Sequence, residues 1–184
     1  MGRGLATSGR ATASVIRICF HGAESTGKSV LADKLSRELG ITLVPEYGRR
    51  YAEEHGTDFT MADLLAVARG QDEAMRAAAA GAPPLLILDT DPLMTAAWAQ
   101  MLFGEVPDAL FGFGKAEHYL LFEPDVEWVA DGTRLFGSSE ERVRFAETAE
   151  AMLVRARVRY ERVKGNWLER EMMVRVAIGL SMRN

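Results

Sequence analysis

The chain has one cysteine in 184 residues, Cys19, which excludes an internal disulfide framework and a cysteine-rich zinc site. Placed in a β-branched run, that cysteine reads as a buried small apolar residue. No apolar run approaches the length of a membrane span, so no membrane partner is expected. Residues 1–14, M-G-R-G-L-A-T-S-G-R-A-T-A-S, lack the apolar centre of a secretory signal and read as a flexible tail on a cytoplasmic protein. Positive charge is not in excess either: a formal net charge of −4 argues against nucleic acid as a partner. His21, His55 and His118 show no metal-ligand spacing. There is no N/T-K-x-D base-reading motif of a guanine-nucleotide switch and no transporter-ATPase signature, and the chain is short for a typical AAA+ module. What the chain does have is 48% hydrophobic and 26% charged residues, in a length that suits one domain with a sizeable core.

The most specific feature is G-A-E-S-T-G-K-S, formed by Gly22, Ala23, Glu24, Ser25, Thr26, Gly27, Lys28 and Ser29. It fits the phosphate-binding pattern G-x-x-x-x-G-K-[ST]. Chance matches arise in a chain of this size on the order of 1% of the time. The context is also right. The run V-I-R-I-C-F at 15–20 reads as a strand, and Leu31, Leu35 and Leu39 recur at helical spacing before Gly40. Glycines at both ends of such a loop let successive N–H groups converge on one anion at a helix N-terminus. Lys28 then reaches the β- and γ-phosphates, and the Ser29 hydroxyl ligates Mg²⁺. The cofactors expected are therefore ATP and Mg²⁺ alone.

Further strands are expected at 41–44, 85–88, 118–122 and 160–165, and helices after Thr60/Asp63, Asp91-Pro92 and Ser138/Glu141. A last helix carries Leu168, Met172 and Val176 on one face. This alternation predicts an α/β domain over 15–184 with the P-loop NTPase fold: three α/β/α layers around a mostly parallel five-stranded sheet, like nucleoside and nucleoside-monophosphate kinases.

Ligands of such sheets bind beyond the carboxyl ends of the strands, where the polar clusters fall. Asp89, after four aliphatic residues, has the form of a metal-holding carboxylate. Asp91 reads either as a helix N-cap or as a substrate contact. Glu46, after the second strand, suits deprotonation of an acceptor hydroxyl or a contact to a ribose. Tyr47 and Trp98 either stack on an aromatic ligand or pack. Residues 126–144 include Asp131, Arg134, Arg142 and Arg144 around Gly132 and Gly137, and suit a lid that brings arginine to a transferring phosphoryl group.

G-A-E-S-T-G-K-S together with V-P-E-Y-G-R, L-D-T-D and D-V-E-W-V-A-D-G-T-R resembles the kinase domain of NadR-type proteins, the bacterial nicotinamide riboside kinase. The resemblance implies phosphorylation of the nucleoside 5′-hydroxyl by ATP. It places phosphate binding on 22–29, metal or substrate contact on Asp89 and Asp91, and lid chemistry on Asp131 and Arg134. Such proteins usually carry an adenylyltransferase domain ahead of the kinase, where this sequence has only the short tail, so a stand-alone kinase is expected. Within kinases the alternative is a pyrimidine or deoxynucleoside kinase. Outside them it is a P-loop ATPase acting as a nucleotide-dependent binding module.

Overall fold

A computed structural model describes residues 15–129 and 135–182. The expected tail at 1–14, and Asp131 and Arg134 of the expected lid, lie outside the described residues. Five strands, β1 (Ile16–His21), β2 (Thr42–Val44), β3 (Leu85–Asp89), β4 (His118–Phe122) and β5 (Tyr160–Val163), form one sheet in the order β2-β3-β1-β4-β5. Every pairing is parallel, with Phe20 beside Asp89 and His21 beside Leu121.

Both faces of the sheet are covered, so its central strands are apolar throughout. The two-residue period of a strand sorts them by face. Ile18, Phe20, Leu85, Ile87, Leu120 and Phe122 pack in one core cluster with α1 (Lys28–Leu39) and α6 (Trp167–Ser181). Cys19, Leu86, Leu88, Tyr119 and Leu121 pack in the other, against α3 (Met61–Ala80), α4 (Pro92–Phe103) and α5 (Ser139–Ala156). Leu86 and Leu88 have no exposed surface, and truncating either to alanine would cost about 2–5 kcal/mol.

The helix starts follow their sequence signals. Thr60 with Asp63 and Ser138 with Glu141 form capping boxes, and Asp91 accepts from the Leu93 N–H at the start of α4, with Pro92 in the first turn. Among the described residues no helix is long and apolar enough to cross a membrane.

One feature departs from the sequence reading. The segment after β2 is a helix, α2 (Tyr47–His55), whose one buried residue is Ala52. It fits against α3: a Cβ on Gly70 would lie 2.4 Å from the Tyr47 ring, so that ring occupies the space a side chain would fill. The last helix does carry Leu168, Met172 and Val176 on one face, and that face is the outward one. Leu168, Met172 and Val176 are 68%, 54% and 61% exposed, while Arg170, Val174, Ala177, Ile178 and Ser181 face inward. α6 is apolar on both faces, and its charges decide the orientation. Glu171 pairs with Lys34 of α1 at 2.7 Å, and Arg170 turns toward the strand ends.

Candidate active site

The P-loop leaves β1 as the sequence requires. Gly22 has φ 127°, and a Cβ there would sit 2.5 Å from the carbonyl oxygen of Phe122 on β4. Gly27, with φ 87°, opens α1, and a Cβ there would meet the indole of Trp167 at 2.5 Å. Inside the loop the Thr26 hydroxyl donates to the Ala23 carbonyl at 2.9 Å, and Lys28 Nζ donates to the same carbonyl at 2.6 Å. The lysine thus lies folded along the loop it serves.

One pocket joins this loop to residues of α2, α3, α4 and α5. Its lining includes Gly22, Lys28 and Ser29 on one side and Glu46, Arg49, Gln71, Thr95, Trp98 and Phe145 on the other. Glu46 is the N-cap residue of α2, and its side chain, 24% exposed, lies 3.8 Å from Arg49. Burial, and next the negative charge of Asp89, push its carboxyl up to about 7. Burial also raises Asp89, opposed first by a hydrogen bond with Ser29 and then by the charge of Lys28.

Asp89 Oδ1 is buried with no hydrogen-bond partner, beside the Ser29 hydroxyl. An oxygen pair with an unspent buried carboxylate lone pair is the donor set a hard divalent cation takes, so Ser29 and Asp89 fit Mg²⁺. Thr90, next along, is held at φ 77°, a conformation a β-branched residue adopts only under constraint.

Trp98 both lines the pocket and packs, with ring centroids 5.4 Å from Phe136 and 5.0 Å from Phe145. Phe136 belongs to the far stem of the region expected to form a lid, and the P-loop holds both stems of that region. The Ser25 hydroxyl accepts from the Val129 N–H at 2.8 Å. The Glu24 carboxylate accepts from the N–H groups of Leu135 at 3.2 Å and Phe136 at 3.0 Å.

Asp91, Tyr47 and Arg142 lie away from the pocket lining, as do Ala23 and Asp89. Asp91 is 1% exposed, with one carboxylate oxygen on the Leu93 N–H and the other on the Tyr119 hydroxyl. The capping reading describes that placement. Tyr47 packs on α3 and carries Arg50 over its ring at 4.5 Å. Arg142 donates to the carbonyls of Pro124 and Val126, at 3.1 and 2.7 Å, which ties it to the near lid stem rather than to the loop.

Folding also makes groupings that spacing does not reveal. His21, Cys19 and Asp91, all buried, come within 4.8 Å through their ligand atoms. The His21 Nε2–H faces the Ala149 carbonyl at 3.0 Å, burial depresses its pKa to about 3, and its Nδ1 has no partner. Asp91 is already committed to Leu93 and Tyr119. Trp167 and Arg170, which stand against the P-loop from α6, carry no sequence signal beyond an ordinary helix start.

Comparison with known proteins agrees with this geometry. The trifunctional NAD biosynthesis/regulator protein NadR of Escherichia coli (strain K12) is 33% identical over 154 residues, covering 80% of this chain and 38% of NadR. The chain therefore spans well under half of that relative's length. A crystal structure of NadR protein in complex with NR superposes with a TM-score of 0.76 at 20% identity, over 92% of this chain and 52% of that one. Thymidylate kinase from Ehrlichia chaffeensis shares the fold, with a TM-score of 0.65 at 13% identity over 89% and 99% of the two chains. A family model described as "AAA domain" matches residues 17–170. The chain belongs to this P-loop AAA-domain family and is homologous to the C-terminal kinase domain of NadR.

Proposed function

We propose that this chain transfers the γ-phosphoryl group of ATP to the 5′-hydroxyl of nicotinamide riboside, giving nicotinamide mononucleotide and ADP. The observation that carries the reading is one pocket with the P-loop at one end and a partly buried, near-neutral carboxyl beside Trp98 and Phe145 at the other. A plain ATPase has no use for the second half. The homology to NadR, and the NR in the crystal structure of NadR protein, support a nucleoside acceptor.

The loop N–H groups and Lys28 hold the triphosphate, and Trp167, exposed beside Gly27, offers a face for the base. Ser29 and Asp89 would hold Mg²⁺, which would supply positive charge to offset that of the triphosphate. Glu46 takes the proton of the acceptor hydroxyl as its oxygen bonds to the γ-phosphorus and the bond to the β-phosphate oxygen breaks. A carboxyl at about 7 is matched to that proton at neutral pH. Nicotinamide riboside carries a pyridinium cation, and the aromatic side chains of Trp98 and Phe145 line the same pocket as the carboxylate of Glu46, which suits a flat cationic ring. Arg142 contributes by holding the near lid stem.

Titration calorimetry with a non-hydrolysable ATP analogue and Mg²⁺ present tests the acceptor half. Nicotinamide riboside is expected to bind more tightly than thymidine or deoxyadenosine. Preference for a neutral nucleoside would reassign the acceptor.

A further inference from the structure

Among the described residues Arg170 is the one arginine without solvent exposure, and all its partners lie at the carboxyl ends of the strands or in the P-loop. Its Nε donates to the Gly165 carbonyl at 2.8 Å and its Nη2 to the Glu123 carbonyl at 3.0 Å and to the Asp125 carboxylate. Asp125 is fixed in turn by the Gly165 N–H at 2.7 Å. The remaining donor, Nη1, reaches the carbonyl of Thr26 at 3.0 Å, from 144 positions further along the chain.

We propose that Arg170 is a positioning residue for the phosphate site, selecting the orientation of the Thr26–Gly27 peptide. This rests on the reading of the P-loop as the donor site. A trans peptide is planar, with its C=O and N–H pointing in opposite directions. Held by the guanidinium, the Thr26 carbonyl points at α6, and the Gly27 N–H therefore points away from it, toward the anion. Gly27 lacks a Cβ, so a flip of this peptide meets no steric barrier of the kind a side chain would impose. The flipped peptide would offer a carbonyl oxygen to a phosphate and repel it. The loop thus needs an outside constraint at this glycine. The first turn of α6 supplies two: Arg170 on the carbonyl, and Trp167 packed where a Gly27 Cβ would stand.

The experiment measures ADP affinity by calorimetry, the unliganded melting midpoint, and KM for ATP and for the acceptor, in four proteins. These are wild type, Arg170→Met, Arg170→Lys and Val174→Ala, the last a fully buried core residue of the same helix that serves as a stability control. Arg170→Met should weaken ADP by about tenfold or more, the scale of a lost charge-assisted bond, and raise KM for ATP while leaving the acceptor KM within about twofold. Arg170→Lys should recover part of the affinity. Val174→Ala should lower the midpoint yet bind ADP like wild type. Equal ADP affinity in Arg170→Met and wild type, or equal weakening in Val174→Ala, would overturn the brace. If Arg170→Met does not fold, Arg170→Lys decides by the same criterion. Failure of the wild-type protein itself to bind ADP would overturn the donor-site reading and the brace with it, whereas binding of ADP without any nucleoside kinase activity would leave the brace standing and remove only the proposed acceptor.

Discussion

The charge of Asp89, at the end of β3, acts on the carboxyl of Glu46, just beyond the end of β2, and ranks second after burial among the causes that raise Glu46 to about 7. The pairing of Val44 with Leu88 brings these two strand ends side by side. A carboxyl that holds its proton more tightly folded than unfolded makes the fold less stable as pH rises from its ordinary 4.5 to about 7. Glu46→Gln should therefore be more stable than wild type at pH 8, by up to about 3 kcal/mol, and no more stable at pH 4. Thermal melts at the two pH values check it. The same substitution should lower kcat by about 100-fold, and in the wild type kcat/KM should rise with pH through about 7.

Lys28 acts on charge that develops in the transferring group, and phosphoryl transfer depends mostly on such electrostatics. Lys28→Ala should cost about 10³-fold in kcat, more than Glu46→Gln. Steady-state rates of the two variants side by side give the order, and the reverse order would shift the weight of the mechanism to proton transfer.

Asp91 is bound on both oxygens, by Leu93 and Tyr119, so its role is to start α4 and seat Tyr119. Asn caps a helix as well as Asp: its Oδ1 can accept from the Leu93 N–H while its Nδ2 donates to the Tyr119 oxygen. Asp91→Asn should leave kcat within about twofold, while Asp91→Ala should lose about 2–4 kcal/mol from the lost cap and the orphaned hydroxyl. Urea denaturation and initial rates separate these outcomes. A large kcat loss in the folded Asn variant would make Asp91 a participant in the reaction.

Trp98 tests the acceptor wall. Replacing it with leucine keeps an apolar side chain but removes the π-face, so KM for a cationic nucleoside should rise about tenfold with KM for ATP unchanged. Kinetics with each substrate varied in turn measure both constants.

The phosphate-loop structure was legible in the sequence because its determinants are consecutive: eight residues, a strand before them and a helix after. The strand order was not, since nothing local distinguishes a parallel neighbour from a more distant one. α2 was hidden because what Tyr47 packs against, the bare Gly70 of α3, lies 23 positions away in sequence. Arg170 was hidden for the same kind of reason. An arginine in the first turn of a helix ordinarily reads as a solvated charge, and only the tertiary fold brings it to Thr26. The inward face of α6 could not be chosen from periodicity, because Leu168, Met172 and Val176 compete with Val174, Ala177 and Ile178 for the same role. Glu24 is the instructive intermediate case. It occupies a free position of the phosphate-loop pattern, yet its carboxylate receives the backbone of the far lid stem.

The most direct test of the account is ADP release from ATP·Mg²⁺ in the presence of a panel of nucleosides. The account predicts that nicotinamide riboside stimulates release strongly, with nicotinamide mononucleotide formed in equal amount, and that thymidine and deoxyadenosine do so weakly. Release at the same rate with every nucleoside and with none would contradict it, and would leave a nucleotide-hydrolysing module in place of a kinase.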